Sequence, residues 1–325
     1  MRFPTAFPVL LLACAVLGLN ARPSHAFGPQ DMPEGFKQLQ PGDAAPDFRL
    51  PGVDGKTYTL ADFAGPQVLM VLFTGTHCPT SHAIETRLQK LVSDMQGRSF
   101  ALVAINPNHS SGLRPDEFGH SIYDETLADS KRYASDLGWN FPFLYDGDQQ
   151  VIARAYGCLA TPHVFVIDQE RKLRYSGRFD DSRLPDPATV QHADARNAIE
   201  ALLAGQPVPV ATTRPHGCST KWKERAAHVA KEETEWQAAK ATVAEIDAAG
   251  VAALRRNDTG KLRLFNIWAS YCEPCVEEMP DLTAIARKFS RREFELITLS
   301  LDDPADKEPV AEFLGKQRAV PSAQL

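Results

Sequence analysis

The sequence is poor in cysteine, in positive charge and in long apolar runs. Six cysteines in 325 residues exclude a disulfide-stapled scaffold, which needs a much higher density in a much shorter chain. Lys and Arg number 35 against 41 Asp and Glu, a formal net charge of −6. Neither nucleic acid nor an anionic membrane surface is therefore an expected partner. The apolar run at residues 9–19 is shorter than the roughly 20 residues of a membrane-spanning helix. No Cys or His follows residue 275, so a zinc site near the end of the chain has no second ligand pair there. What is present is ordinary for a globular protein: 43% hydrophobic and 23% charged residues, in a chain long enough for two cores.

The N-terminus reads as a targeting segment. Arg2 supplies a positive start, residues 9–19 an apolar stretch, and Ser24-His25-Ala26 small residues at the −3 and −1 positions of a cleavage site. A signal peptide over 1–26 is expected, and with it export to a periplasm or secretion, with no membrane association after its removal. If Cys14 leaves, Cys78, Cys158, Cys218, Cys272 and Cys275 remain. That number is odd, so at least one thiol cannot pair within a monomer.

Two segments share one design. An apolar stretch at 68–74 runs into Gly75-Thr76-His77-Cys78-Pro79-Thr80-Ser81, and one at 262–268 into Ala269-Ser270-Tyr271-Cys272-Glu273-Pro274-Cys275. Each cysteine then opens a helical pattern. Unpaired backbone N–H groups at a helix start favour negative charge, and the thiolate is the reactive form of cysteine. Around the first site, strands are expected at 68–74, 100–105, 164–167 and 173–175, with helices between them and after them. A parallel strand-helix-strand followed by a hairpin predicts an α/β fold with a central mixed sheet flanked by helices, the thioredoxin-like arrangement. Expected domains are 42–205, a linker and helical spacer at 206–257, and 258–325. Trp222, Val229, Trp236, Val243 and Ile246 form a docking face of that spacer in one reading; in the other it is a solvated helical spacer.

Cys272 and Cys275 form a C-x-x-C dithiol, the first thiol attacking and the second closing the disulfide. Trp268 is expected to pack beside it, and Pro280 to kink its helix. At Cys78 the second cysteine is replaced by Ser81, so a resolving thiol must come from elsewhere. Cys158 is the candidate, on the loop leading to Thr161-Pro162, where thioredoxin-like folds place a cis-proline; its alternative role is a buried core residue. Cys218 is open between a disulfide with Cys158, a third redox thiol and a structural role. His77 and His82 flank Cys78, where they either tune its pKa, bind metal or face solvent.

The stretch from Trp268 through Cys272-Glu273-Pro274-Cys275 to Met279-Pro280 resembles the thioredoxins of cytochrome c maturation. The likeness covers about 262–316, which makes the second domain partial, and it is expected to be unstable or oligomeric alone. Residues 42–223 resemble a peroxiredoxin-like redoxin family. The matching pieces are Gly42-Asp43-Ala44-Ala45-Pro46-Asp47-Phe48, His77-Cys78-Pro79, Ala104-Ile105-Asn106, Phe141-Pro142-Phe143-Leu144, Thr161-Pro162, Gly177-Arg178-Phe179-Asp180-Asp181 and Gly217-Cys218-Ser219-Thr220-Lys221-Trp222-Lys223. That resemblance implies an exported thiol-disulfide oxidoreductase or peroxiredoxin-like antioxidant protein with Cys78 as nucleophile. It implies no organic cofactor, and protein thiols or disulfides, and peroxides, as partners. The chain departs from true peroxiredoxins at Gly75 and Val71, where those carry threonine and proline. Thr76-His77-Cys78-Pro79 also resembles the copper chaperones of cytochrome oxidase assembly, which implies a set of Cys78, His82 and His163. A non-catalytic redoxin scaffold is the third reading.

Overall fold

The computed structural model describes residues 11–15 and 32–317. These form two units: one within 25–114 and 120–229, the other within 115–119 and 230–317 together with strand β1 (Leu11–Ala15).

The first unit opens with a hairpin of β2 (Arg49–Pro51) and β3 (Thr57–Thr59). Strand β4 (Val68–Phe73) follows, and all six of its residues are buried. An apolar run of this kind suits a strand covered on both faces. Helix α1 (Pro79–Asp94) carries β4 over to β5 (Phe100–Asn106), which pairs with it in parallel. Then come α2 (Leu127–Asp136), β6 (Phe143–Tyr145), α3 (Val151–Tyr156), the short β7 (Ala160–Thr161), and β8 (His163–Ile167) with β9 (Leu173–Gly177). The sheet runs β6-β5-β4-β8-β9, and β8 is antiparallel to both β4 and β9. This is the expected mixed sheet.

Alternate residues of β4 build two cores. Leu69, Val71 and Phe73 pack with Phe48, Tyr156, Phe165 and Trp222; Val68, Met70 and Leu72 pack with Ile84, Leu88, Leu91 and Ile199. Each fully buried side chain of this size contributes about 1.5–3 kcal/mol over its exposed state. Helix α4 (Asp194–Leu203) covers the second core. The Asp180 carboxylate is structural, held by Arg87 through Nε at 2.7 Å and Nη2 at 3.1 Å.

The expected linker and spacer at 206–257 is not a separate segment. Its first part belongs to the first unit, where β10 (Cys218–Ser219) pairs antiparallel with β7. Trp222, on a docking face in one of the two readings, is buried in the first unit's core. The chain continues through α5 (Ala226–Ala238), β11 (Thr242–Ile246) and α6 (Ala248–Arg256). Val243 and Ile246 are therefore strand residues and not part of a helical face.

The second unit is completed by β12 (Leu262–Trp268), α7 (Glu273–Phe289), β13 (Phe294–Ser300) and α8 (Lys307–Lys316). Its sheet runs β11-β1-β13-β12, with β12 parallel to β13 over seven residues. Among the described residues β12 is an edge strand, and Leu262 and Ile267 on it are 70% and 60% exposed. Leu296, Ile297 and Leu299 are buried. Pro280 lies inside α7, which runs through it.

Of the expected signal peptide, Arg2 and the cleavage site after Ala26 lie outside the described residues. Leu11–Ala15, within its apolar stretch, forms a strand between β11 and β13. No described helix is long and apolar enough to cross a membrane.

Candidate active site

Strand β4 ends one turn before Cys78, which is the N-cap of α1 with Pro79 at the helix start. Proline suits that position because its missing N–H would have no helical partner there. At this helix start the relative exposure of Cys78 is 0%. Its thiol donates to the Thr161 carbonyl at 2.9 Å, and the Thr161–Pro162 bond is cis, as expected.

Two neighbours complete the surroundings of this sulfur. The β7–β10 ladder sets Cys218 opposite Thr161, and both the side chain and the backbone of Cys218 hydrogen-bond to Cys78. On the other side stands His77, buried rather than facing solvent. His77 Nδ1 pairs with the Glu125 carboxylate, and the His77 backbone N–H donates to Glu125 Oε1 at 2.9 Å. Asn106, at the end of β5, donates to Glu125 Oε2 at 2.6 Å and to Ser130 Oγ at 2.9 Å. Glu125 is fully buried. Buried charges of this kind are paired and hydrogen-bonded, as here.

Burial opposes ionisation of Cys78. Hydrogen bonds from the Cys218 side chain, the charge of His77, and backbone donors of Cys218 and Ser81 outweigh it, and hold the thiol pKa well below its usual value. Burial likewise opposes the Glu125 carboxylate. The His77 charge and the hydrogen bonds of His77 and Asn106 outweigh it and lower the Glu125 pKa.

Gly75 has a steric reason. A Cβ there would lie 2.4 Å from Asn108 Nδ2 and 2.8 Å from Glu125 Oε1. A threonine cannot occupy the position while Glu125 holds His77.

The profile of the AhpC/TSA family matches residues 41–176. All of these matched residues except 115–119 lie within the first unit, and over them the chain is similar to that family. A hypothetical protein of Sinorhizobium meliloti 1021, of known crystal structure, is 36% identical over 58% of this chain and 97% of its own, with a TM-score of 0.51. An uncharacterized conserved protein of Geobacillus kaustophilus is 33% identical over 58% of this chain and 95% of its own, also at 0.51. The thiol-disulfide oxidoreductase ResA of Geobacillus thermodenitrificans is 26% identical over 41% of this chain, which spans 66% of that protein's length. A Mycobacterium tuberculosis protein provisionally named a peroxiredoxin is 28% identical over 42% of this chain and 83% of its own. The AhpC/TSA match ends before Cys218, Cys272 and Cys275.

Within the matched residues, Cys158 has the surroundings of a core residue rather than those of a resolving thiol. It lies in the core with Ile152, Tyr156 and Phe165, its thiol donates to Ala160 O at 3.3 Å, and burial pushes its pKa up to about 12. The copper set is not assembled either. Leu159 N–H donates to His163 Nδ1, His163 Nε2 meets Ser176 Oγ, and burial pushes the His163 pKa down to about 3. His82 Nε2 bonds to Thr76 O at 2.8 Å. No three His, Cys, Asp or Glu side chains among the described residues gather as a metal site.

In the second unit, Cys272 is the N-cap of α7 and is disulfide-bonded to Cys275. Trp268 is buried against Phe313, with Cys275 in the same cluster, as expected. Asp302 accepts from the Ser270 backbone at 3.0 Å and from its hydroxyl at 2.6 Å, which fixes the turn before Cys272. Tyr271 is 77% exposed beside it.

Reading the sequence missed Glu125. It sits in a stretch without periodicity, 47 positions beyond Cys78 in the sequence, and nothing local marks it. Asn106 had a signal, since it closes the Ala104-Ile105-Asn106 piece of the redoxin likeness.

Proposed function

We propose that this protein is a thiol-dependent oxidoreductase in which Cys78 is the nucleophile of the first unit and Cys272 with Cys275 a redox dithiol in the second. The observation that carries the reading is the convergence of Cys218, His77 and the start of α1 on one sulfur, all favouring the thiolate. His77 stands beside the sulfur as a charge, and Glu125 acts as a positioning residue through His77 Nδ1. The Cys78 thiolate attacks one sulfur of a protein disulfide, an S–S bond to Cys78 forms, and the other substrate sulfur leaves as a thiolate. Export belongs to this reading on the strength of the signal-type pattern in residues 1–26.

A peroxide as the oxidant is the second reading, favoured by the similarity of residues 41–176 to the AhpC/TSA family. Against it stands the packing of Gly75, which leaves no room at the place of the peroxiredoxin threonine. The test treats the reduced full chain with oxidised glutathione or with hydrogen peroxide, then follows each cysteine-containing peptide by mass. Disulfide attack predicts that the glutathione adduct forms on Cys78 before Cys158 and ahead of any peroxide product. Faster oxidation by peroxide would move the assignment to the second reading. Equal reactivity of Cys78 and Cys158 would end both.

A further inference from the structure

Cys218 lies beyond the part of the chain that the family profile covers. Three observations nevertheless bring it to the nucleophile. First, β10 lies antiparallel to β7 with Cys218 opposite Thr161, the residue whose carbonyl accepts from the Cys78 thiol. Second, the Cys218 side chain and backbone both hydrogen-bond to the Cys78 sulfur. Third, a Cβ on Gly217 would fall 2.0 Å from the Thr161 carbonyl oxygen and 3.1 Å from Pro162 Cδ. Only glycine allows this segment to lie so close to the Thr161–Pro162 loop. Beyond Cys218 the segment is tied down again, as Thr220 Oγ1 donates to Cys158 O at 3.0 Å and Lys221 N–H to Asn108 Oδ1 at 2.9 Å. The backbone is built to hold Cys218 against Cys78, while Cys158 points into the core.

We infer that Cys218 is the resolving thiol of Cys78, and that the first unit cycles between a Cys78/Cys218 dithiol and a Cys78–Cys218 disulfide. This rests on the reading of Cys78 as nucleophile. After the first attack, Cys78 is joined to one substrate sulfur. Cys218 gives up its proton and its sulfur attacks Cys78 Sγ. The bond between Cys78 and the substrate sulfur breaks, and that sulfur leaves as a thiolate and takes a proton. The substrate disulfide has then gained two electrons and two protons, and the two enzyme thiols have lost them. An external dithiol reverses the process and restores the enzyme. Ser81, at the position of a C-x-x-C partner, is thereby replaced by a cysteine 137 residues further along the chain.

The experiment mixes the reduced full chain with oxidised glutathione, blocks the remaining thiols at timed intervals, and maps peptides without reduction. The expected result is a short-lived glutathione adduct on Cys78 followed by a linked pair of the Cys78 and Cys218 peptides. In Cys218→Ser the adduct on Cys78 accumulates, by on the order of tenfold, and Cys158→Ser behaves as the parent protein. A persistent Cys78 adduct in the parent protein with no Cys78–Cys218 link would overturn the role of Cys218 while leaving Cys78 as nucleophile. A Cys78–Cys158 link would overturn it as well. Absence of any adduct on Cys78 in either protein would sink the nucleophile reading and this inference with it. The map of the parent protein carries the test even where the serine variant fails to fold.

Discussion

At Cys78, loss of water acts against the charged sulfur while donors and a neighbouring charge act for it. The second group wins because it is dense: a thiol, two backbone N–H groups and an imidazole all address one atom. Replacing His77 by glutamine removes the charge and keeps a polar side chain. The midpoint of iodoacetamide alkylation of Cys78 against pH should then rise, by roughly one to three pH units, toward the value of an ordinary thiol. An unchanged midpoint would show that the imidazole has no electrostatic part in the site. His77→Gln also leaves Glu125 buried without its histidine partner. Removing one member of a buried pair costs about 3–5 kcal/mol, so the profile is to be recorded below the unfolding temperature of the variant.

Among the elements, two short ones matter out of proportion to their length. The β7–β10 ladder has two residues on each side and depends on Gly217. Gly217→Ala forces that ladder apart, so the variant should lose about 1–3 kcal/mol of stability and the alkylation midpoint of Cys78 should rise as Cys218 withdraws. Denaturant unfolding and the same pH titration check both. A variant as stable as the parent with an unchanged midpoint would show that the ladder yields freely. Helix α3 is the other case. Asp146 Oδ2 accepts from the Ile152 and Ala153 N–H groups at 3.0 and 2.7 Å at its N-terminus. Burial pushes the Asp146 pKa up to about 7, against these donors and the charge of Arg154. A carboxyl whose pKa is higher in the folded state than in the unfolded one adds stability below its unfolded value near 3.8, and that stability is lost as pH rises toward 7. Asp146→Asn should therefore flatten the fall in unfolding free energy between pH 4 and 7. An identical slope in both proteins would remove Asp146 as its source.

At the scale of the whole molecule, the two units place a cysteine at the same kind of junction but close their sheets differently. In the first, β4 is paired by β5 on one side and β8 on the other. In the second, β12 is paired by β13 alone, and its other edge is bare among the described residues. An exposed apolar edge strand is a template for association. The full chain should therefore self-associate with rising concentration in sedimentation velocity, and Ile267→Lys should reduce that association. Sedimentation as a monomer throughout, in both proteins, would contradict this.

Much of this was legible in the chain itself, for local reasons. The buried strand at β4, the helix behind each cysteine, the turn at Thr161–Pro162 and the α/β alternation all follow from patterns within one or two elements, where periodicity and helix-start chemistry act directly. The partners of Cys78 were not legible. Glu125 reaches His77 across 48 positions of sequence and Cys218 reaches Cys78 across 140, each from an irregular or two-residue segment that carries no period of its own. Cys158 looked the better partner because it lies near the Thr161–Pro162 turn in sequence, yet its side chain points into the core. That Cys78 stands at a helix start could be read from the local pattern. Which cysteine stands beside it was decided only by the packing of β10 on β7, because a side chain's direction depends on the strand pairing and not on its distance along the chain.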